Sequence, residues 1–598
     1  MIAAMSKTYI VARRADRDRL LEAVRGLGLV HLKPVDPARA VADAETLSTL
    51  DRLGRAIQIL ETAAPAGPAP DLEPVQAADE VLRIQRESVE RTNRLTTLHR
   101  QVEQLALWGD VRLEQFLALR NAGLAPRFFA VPQKTLAEVQ AECVEPLGPW
   151  PGKRILVAVI RRDAEPEVPE GSEEVPLPQR DRPAIRAEAR DIDAALKADA
   201  ARLAALAHQV EPMRAQRAHL QERAQWTVAT RSALADEHLY ALQGWVPEDR
   251  VEGLAAALAA EGVGAAVQTV PPEPDDDPPT LVRYPWWARP MKGLFDVLGT
   301  VPGYREFDVA AAFMIALPIF SAIMISDAGY GLLYLVLPLV FYRKMAAAGA
   351  GLLAQLVIVI GVLSLVWGGL TASFFGFDIS GLMGLSEPLV PVSTGTAHMA
   401  LLMRISFILA ALHLSAAHVW LARDAFPTPR FLGEVGWAVF IWGMFGVVKM
   451  LLLRDAFYGT AYPYLLGTGG VMAVLFASPE WGPFTALALM QKFGMGVAKF
   501  PLAALGTLGD TISYVRLMAL GVAGTALALA FNDMAASVPF PAGILILIVG
   551  HALNVALSVV SLLAHGVRLN MLEFSNNLGM QWSGYAYEPF SLKRSEEN

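Results

Sequence analysis

The sequence has a single cysteine, Cys143, in 598 residues. A lone cysteine cannot close an intramolecular disulfide, and it excludes a metal site built from several cysteines. The 10 histidines include no His-Glu-x-x-His pair, and His413 and His418, five positions apart, fall on different faces of a helix. Gly148-Pro-Trp-Pro-Gly-Lys-Arg154 lacks the glycine spacing and the Ser or Thr of a phosphate-binding loop. We therefore expect no cofactor, no metal site and no nucleotide site.

Charged residues are scarce in the second half of the chain. Residues 307–575 carry few charges, whereas residues 1–280 are charged and rich in alanine. The chain is 54% apolar and its mean hydropathy is positive, as is typical of a membrane protein. A net charge of −8 gives no reason to expect nucleic acid as a partner. Met1–Arg14 lacks the apolar region of a signal peptide, so the first half is expected to stay in the cytoplasm.

Residues 1–280 alternate short strand patterns with helical stretches, which predicts a cytoplasmic domain of small α/β lobes. The Pro- and Asp-rich residues 271–279 are expected to form an extended linker. The predicted strands are Thr8–Ala12, Val30–Leu32, Phe128–Val131, Ile155–Ile160, Leu239–Val246 and Ala265–Val270.

Two helical segments of this domain, 76–120 and 182–228, carry seams of apolar residues. The second seam advances by alternating steps of four and three, with Asp199 in one slot and Pro212 at a position where the helix is expected to kink. These seams predict a long antiparallel coiled coil with a lobe at each end. Two ordinary core helices of a globular domain remain the alternative. The seam residues are Leu95, Leu98, Val102 and Leu105, and Ile192, Leu196, Leu203, Leu206, Val210 and Met213.

The second half contains segments apolar enough to cross a bilayer, so the fold class is an α-helical membrane protein. About eight transmembrane helices are expected, the last two long enough to cross with a tilt. Lys and Arg concentrate in alternate connections, which places both termini in the cytoplasm. The predicted regions are 1–280 (cytoplasmic), 281–306 (linker or interfacial), 307–575 (membrane) and 576–598 (cytoplasmic tail). The predicted spans are 308–326, 328–342, 352–376, 399–421, 432–453, 461–477, 500–531 and 543–574.

Arg516 and Arg568 are the only full positive charges well inside the last two apolar segments. A guanidinium keeps its charge in a protein, and an arginine at the bilayer centre costs roughly 2.5–3.5 kcal/mol even on lenient scales. Residues placed at that cost usually face a bundle interior or a wet cavity and mark an ion path. The two arginines therefore predict ion translocation.

Other polar and small residues share the helix faces of these arginines. Beside Arg516, Gly509 and Ser513 have small side chains that permit close approach of another helix. Ser and Asn residues also commonly join membrane helices by hydrogen bonds, but two permanent charges on the same faces favour a wet ion path. The last span carries a stripe at steps of three and four, formed by His551, Asn554, Ser558, Ser561, His565 and Arg568.

Motifs along the chain match the signatures of one known family. They are Ser513-Tyr-Val-Arg-Leu-Met-Ala-Leu-Gly521, His565-Gly-Val-Arg-Leu-Asn-Met-Leu-Glu-Phe574, Asp327-Ala-Gly-Tyr-Gly331, Gly244-Trp-Val-Pro247 and Tyr587-Glu-Pro-Phe590. On these motifs the chain resembles subunit a, also called subunit I, of the V-type and archaeal-type rotary ATPases. That subunit is static and stands beside a rotating, lipid-embedded ring. The resemblance extends over nearly the whole chain.

The resemblance implies that Arg516 and Arg568 face the ring carboxylates and separate two aqueous half-channels for protons or sodium ions. Arg516 is expected to be the principal charge, and Arg568 to reinforce it. Ser558 stands where eukaryotic relatives carry a glutamate. Asp510 could instead cap a helix or pair with a lysine, and Glu573 is expected to help ions enter at the cytoplasmic interface. The candidate channel-lining residues are Asp510, His551, Asn554, Ser558, Ser561, His565 and Glu573.

The resemblance also implies the partners and the location. Residues 1–280 would be a stator arm that binds peripheral-stalk subunits, and the membrane domain would contact a ring of small proteolipid subunits. Central-stalk and catalytic subunits would be indirect partners, so the chain would hydrolyse no ATP itself. A prokaryotic plasma membrane is the expected location. An ion-coupled secondary transporter that binds an anion through Arg516 and Arg568 is the alternative, although no internal repeat supports it. A purely structural membrane anchor would leave both arginines unexplained.

Overall fold

The computed structural model describes residues 1–36, 38, 40–124, 126–161, 166–392, 396–476 and 486–591. Of the expected tail 576–598, residues 592–598, with Lys593 and Arg594, lie outside the described residues. The described chain forms two compact units. The first unit comprises Met1–Lys33 with Gln243–Ser591, and the second comprises Pro34–Leu242. The predicted 1–280 region thus contributes residues to both units.

The soluble part of the first unit is built on an antiparallel sheet. Side chains of Met5–Arg13 alternate between buried and more exposed, as expected for a strand with one face on a core. This strand pairs with Ala266–Val270, with Lys7 opposite Val270 at one end and Val11 opposite Ala266 at the other. Across the sheet the strands are His31–Leu32, Leu239–Pro247, Met5–Arg13 and Ala266–Val270, and the helices of this part are Arg17–Leu27, Glu248–Val251 and Leu254–Ala260.

The second unit contains two helices that run antiparallel. Pro74–Gln104 lies along Arg182–Leu206, and the ion pairs Glu80–Arg202 at 2.8 Å and Arg94–Glu188 at 2.7 Å join them. Asp199, the charged residue in the predicted seam, pairs with Arg91 of the opposite helix. The pairing is consistent with the predicted seams, and a coiled coil remains a prediction.

The predicted kink near Pro212 is present as a short 3-10 turn. This turn, Ala207–Gln209, separates Arg182–Leu206 from Val210–Ser232, because a proline cannot donate to, and clashes with, the carbonyl four residues earlier. A cluster that includes Leu53, Ile57, Val81 and Met213 forms the core beside it. The remaining α-helices of this unit are Ala44–Leu60 and Leu113–Asn121.

A four-stranded antiparallel sheet completes the second unit. All six predicted strands of the chain are present within a few residues, but Cys143–Trp150 was not predicted. The strand was not predicted because Pro146, Gly148 and Pro149 are unfavourable in a strand interior. Pro is tolerated in an edge strand such as this one, whose register shifts between Pro146 and Gly148. The sheet order is Cys143–Trp150, Arg154–Ile160, Arg127–Pro132 and Glu173–Glu174. The short strand Leu234–Ala235 is not part of this sheet and pairs with Tyr240 and Ala241.

Each predicted span contains a helix, and five helices of the described chain are long and apolar enough to cross a membrane. Two further apolar helices, Ala310–Ile325 and Tyr462–Leu475, are shorter, so the count of eight spans remains a prediction. The five are Gly351–Leu370, Ala397–Ala425, Arg430–Leu453, Gly496–Ala536 and Phe540–Asn577. Individual helices are Pro290–Leu298, Ala310–Ile325, Ala328–Ala347, Gly351–Leu370, Thr396–Ala425, Arg430–Leu453, Tyr462–Leu475, Ala486–Ser513, Val515–Ala536, Phe540–Ser561 and Ser575–Asn577.

The predicted span 352–376 was too long at its end. The helix stops at Leu370, and the chain then forms a hairpin of Ser373–Phe374 and Phe377–Asp378. Backbone N–H groups of this hairpin bind a buried carboxylate, that of Asp327, which holds them outside a helix. The hairpin brings polar backbone close to the last two spans.

Candidate functional site

Arg516 is positioned by an interruption in its span. Ala486–Ser513 ends at a turn at Tyr514, and Val515–Ala536 begins directly afterwards. The interruption leaves the Ser513 carbonyl free to accept a hydrogen bond from Arg516 Nε at 2.9 Å. The fully buried Tyr514 shares a 2.7 Å hydrogen bond between its hydroxyl and His413 Nδ1. The side chain of Arg516 is 22% exposed, so it reaches the surface of the bundle while its Nε is held by the Ser513 carbonyl.

The last span is not a regular α-helix to its end. It is α-helical over Phe540–Ser561 and then contains two π-helical segments, Leu562–Gly566 and Leu569–Phe574. A π turn holds more residues than an α turn, so the three-and-four spacing of the predicted polar stripe does not extend past Ser561. Arg568 lies between the two π segments, and 53% of its side chain is exposed. π segments are frequent at functional sites.

Glu573 joins the two arginines. Its Oε1 lies 2.8 Å from Arg516 Nη2 and 3.6 Å from Arg568 Nε, and its side chain is only 4% exposed. From the sequence, Glu573 was expected at the cytoplasmic interface as an aid to ion entry, and these ion pairs were not predicted. The second π segment explains the difference, because it brings residues five apart closer to one face than an α-helix does. The site therefore holds two guanidinium groups and one buried carboxylate.

Asp510 lies near the same group but neither caps the start of its helix nor pairs with a lysine among the described residues. It is three residues from the end of Ala486–Ser513, where its carbonyl accepts a hydrogen bond from Ser513 Oγ at 2.7 Å. Asn577 Nδ2 donates to Asp510 Oδ2 at 3.0 Å and to the Glu573 carbonyl at 2.5 Å. Asn577 was not predicted from the sequence, because only the irregular end of the last span brings it close to Asp510 and Glu573.

A second polar cluster lies earlier on the last span. His551 Nδ1 and Asn554 Nδ2 lie 2.7 and 2.9 Å from the hydroxyl of Tyr330, and His551 Nε2 lies 3.2 Å from Asn532 Oδ1. Asn554 also donates to the Gly524 carbonyl at 2.9 Å, and it is 2% exposed. The structure thus brings together two of the predicted stripe residues with Tyr330 and Asn532, which were not predicted.

Asp327 anchors this second cluster. Its two carboxylate oxygens accept hydrogen bonds at 2.7–3.1 Å from five donors, and the residue is 1% exposed. The carboxylate caps the helix Ala328–Ala347 and holds the Ser373–Phe374 hairpin. Asn532 completes the connection by donating to the Phe375 carbonyl at 2.8 Å. The motif Asp327-Ala-Gly-Tyr-Gly331 carried this signal in the sequence, but there it served only the family resemblance.

The remaining predicted residues lie between the two clusters or beside them. Ser558 Oγ donates to the Asn554 carbonyl at 2.8 Å, a contact within its own helix. His565 Nδ1 is buried and has no hydrogen-bond partner among the described residues. Ser561 is half-buried. The structure does not test a channel role for any of these residues, and that role stays a prediction.

The bundle surface near Arg516 is built from small residues. Gly506 and Gly509 are exposed, and no atom lies within 4 Å of the place where a Cβ would stand. Ala519 and Ala523 are exposed beyond the interruption. This open surface of small residues can therefore accept a closely packed helix beside a fixed positive charge.

Among the described residues, no group of three or more His, Cys, Asp or Glu side chains could hold a metal ion.

The fold and this site define an α-helical membrane protein with an arginine–glutamate cluster between its last two spans. No family model matches the chain. The V-type ATP synthase subunit I 1 of Treponema pallidum is 27% identical over 638 residues, which cover 99% of this chain and 100% of the relative. The V-type ATP synthase subunit I of Borreliella burgdorferi is 32% identical over 368 residues, 58% of this chain and 59% of the relative. The A-type ATP synthase subunit I of Methanocaldococcus jannaschii is 27% identical over 60% of this chain and 56% of the relative.

These matches confirm the resemblance: the chain is similar to V-type and A-type ATP synthase subunits I. In the Borreliella and Methanocaldococcus alignments the chain spans less than two thirds of the relative. A solved cytoplasmic N-terminal domain of subunit I, a homolog of subunit a of V-ATPase, matches 44% of this chain and 100% of that chain. The identity to that domain is 16% and the TM-score is 0.19.

Proposed function

We propose that this chain is the static membrane subunit of a V/A-type rotary ATPase or synthase. In this proposal, Arg516 and Arg568 face the carboxylates of a ring of small proteolipid subunits. Two aqueous half-channels reach the arginines from opposite sides of the membrane, so that proton or sodium transfer is coupled to rotation of the ring. The full-length similarity to a V-type ATP synthase subunit I supports the class of machine.

The observation that carries the proposal is the setting of Arg516. Its guanidinium is fixed by the Ser513 carbonyl and by Glu573, yet it is 22% exposed beside the open surface at Gly506 and Gly509. Arg516, Arg568 and Glu573 together leave one net positive charge, since one carboxylate faces two guanidinium groups. A ring carboxylate that arrives beside Arg516 would be stabilised in its ionised form and would release its ion.

The two polar clusters are candidates for the walls of the half-channels. Asp510, Asn577 and Glu573 lie near the end of the last span, which the distribution of Lys and Arg places on the cytoplasmic side. His551, Asn554, Tyr330 and Asn532 lie roughly five to six helical turns before Glu573 on that span or beside it. Ser558, Ser561 and His565 lie between them. Neither arginine can lose its proton, so an ion could not pass directly from one cluster to the other.

The chain is non-catalytic in this proposal, and ATP chemistry belongs to partner subunits. The soluble second unit would serve in the stator arm and bind peripheral-stalk subunits, while central-stalk subunits would be indirect partners. The machine would lie in a prokaryotic plasma membrane with both termini of this chain in the cytoplasm.

Replacing Arg516 tests the function. We expect Arg516→Ala to abolish ATP-driven ion uptake into vesicles that hold the complete complex, because the ring carboxylate loses the charge that favours its ionisation. The assembled complex should still be recovered. Arg404→Ala is the matched control, since Arg404 pairs with Asp455 at 2.9 Å outside the site. Normal pumping by Arg516→Ala would contradict the proposal, and loss of uptake of an unrelated solute would favour a secondary transporter.

A further inference from the structure

A cavity of about 360 Å³ lies among three helices away from the arginine cluster. The helices are Arg430–Leu453, Tyr462–Leu475 and Ala486–Ser513. Arg430, Glu434, Trp437 and Lys499 are among the residues that line it. Lys and Arg residues at this end of the helices point to the cytoplasmic side of a membrane, where tryptophans are also enriched.

An apolar groove of about 660 Å³ lies beside the charged cavity, and Phe500 lines both. The ring of Phe500 lies 5.2 Å from that of Phe440, which belongs to the groove. The groove extends along the same helices to Met444 and Pro463. From Arg430 to Met444 the helix rises about 21 Å at 1.5 Å per residue, so cavity and groove together run most of the way across a hydrocarbon core.

Glycines leave this groove open. Gly467 lines the groove, and no atom lies within 4 Å of the place where its Cβ would stand. A Cβ on Gly470 would lie only 3.0 Å from the ring of Phe500. On the neighbouring face, Gly443 packs so closely that a Cβ would lie 2.4 Å from the Leu466 nitrogen. The two helices are therefore in close contact at Gly443, and the surface at Gly467 stays open.

The charges at the cavity favour an anion. Arg430 Nε is 3.7 Å from Glu434 Oε1, but Glu434 Oε2 also lies 2.9 Å from His418 Nδ1. Lys499 has no ion-pair partner among the described residues. Two cations and one carboxylate therefore line the cavity, and Arg430 remains 46% exposed. A phosphodiester suits such a site, because Arg and Lys both donate to phosphate oxygens.

We propose that the cavity and groove bind one anionic phospholipid. Its phosphate lies between Arg430 and Lys499, and an acyl chain lies in the groove beside Phe440 and Gly467. The charged end and the apolar end together select this occupant over a neutral lipid, which gains nothing from the cations, and over free phosphate, which leaves the groove unfilled. The site does not depend on the proposed ion path, because Arg516, Arg568 and Glu573 do not line it.

Lipid retention by the purified, delipidated full chain tests the proposal. Native mass spectrometry would count bound molecules after addition of phosphatidylglycerol, phosphatidylcholine or inorganic phosphate. We expect one retained phosphatidylglycerol and weaker retention of phosphatidylcholine. Removing one cation by Lys499→Ala should weaken phosphatidylglycerol binding about five-fold, whereas Lys344→Ala, which removes an exposed cation elsewhere, should not. Equal retention of both lipids by the unaltered chain would overturn the proposal.

A second variant tests the groove. Gly467→Leu places a side chain in the open space and should abolish retention of either lipid. Gly369→Leu is its matched control, because Gly369 also has no atom within 4 Å of its Cβ position but lies on another helix. Retention of phosphatidylglycerol by Gly467→Leu would show that no lipid chain occupies the groove. Retention of inorganic phosphate as strong as that of phosphatidylglycerol by the unaltered chain would show the same.

Discussion

Glu573 is the residue on which the geometry of the site depends most. Its carboxylate is buried between two guanidinium groups, and its Oε2 has no hydrogen-bond partner among the described residues. A buried ion pair is weak support for stability as a whole, but removal of one partner is costly because the other charge remains desolvated. Glu573 therefore fixes Arg516 in place.

Glu573→Gln should lower the stability of the chain and impair coupled ion uptake. Because Arg516 is partly exposed, the expected loss is at the lower end for a broken buried pair, about 3 kcal/mol. Thermal unfolding of the purified chain would measure the first effect, and a double-mutant cycle with Arg516→Ala would isolate the pair. Asp510→Asn is the control for stability, since Asp510 accepts a hydrogen bond from Asn577 but forms no ion pair among the described residues. Equal losses in the two variants would contradict the role given to Glu573.

Single residues also show how far the sequence could be interpreted. Arg516 and Arg568 were predicted because a permanent charge in an apolar run is conspicuous. Asp327, Tyr330 and Asn532 were not, since their partners lie far along the chain. Glu573 and Asn577 were misjudged or missed because a 3.6-residue period assumes an α-helix, and the last span becomes π-helical.

At the scale of elements, irregularities in the helices position the candidate functional residues. Arg516 follows the interruption at Tyr514, and Arg568 lies between two π segments. Strands with alternating side chains, such as Met5–Arg13, were predicted well because their pattern is local. The edge strand Cys143–Trp150 was not predicted because its prolines and glycine have low strand propensity. It is a strand because it pairs with Arg154–Ile160.

Within the first unit, the C-terminal segment 587–590 packs against residues 29–31. Glu588 N–H donates to His31 Nδ1 at 3.0 Å, Phe590 N–H donates to the Val30 carbonyl at 2.8 Å, and Tyr587 donates to the Leu29 carbonyl at 2.5 Å. Burial lowers the pKa of His31 below its ordinary 6.5. Burial raises the pKa of Tyr587 to about 12.

These contacts predict release of the segment in mild acid. His31 must be neutral to accept the Glu588 N–H, and the released state, with the higher pKa, binds the proton first. The contact is therefore fully present above about pH 6.5 and weakens as the pH falls through the lowered pKa of His31. Hydrogen exchange at residues 587–590, corrected for the intrinsic rate, would measure this release. The His31→Asn variant should lose the pH dependence, and an unchanged profile would contradict the assignment.

At the scale of the whole molecule, the chain combines a soluble unit, Pro34–Leu242, with a unit that holds the apolar helices. Hydropathy predicted the division between soluble and membrane parts, because burial in lipid demands long apolar segments. It did not predict that residues 1–33 belong with the membrane unit, since that assignment depends on contacts between distant strands. The similarity to a V-type ATP synthase subunit I covers both units, since it extends over 99% of the chain.

Cross-linking at Gly509 tests most directly whether the surface beside Arg516 faces the ring. In a Cys143→Ser background, Gly509→Cys should form a disulfide with a cysteine placed one helical turn from the ring carboxylate in the assembled complex. Gly369→Cys, which has equal open space on another helix, should form none. Assembled complexes in which Gly509→Cys fails to cross-link while Gly369→Cys succeeds would contradict the account.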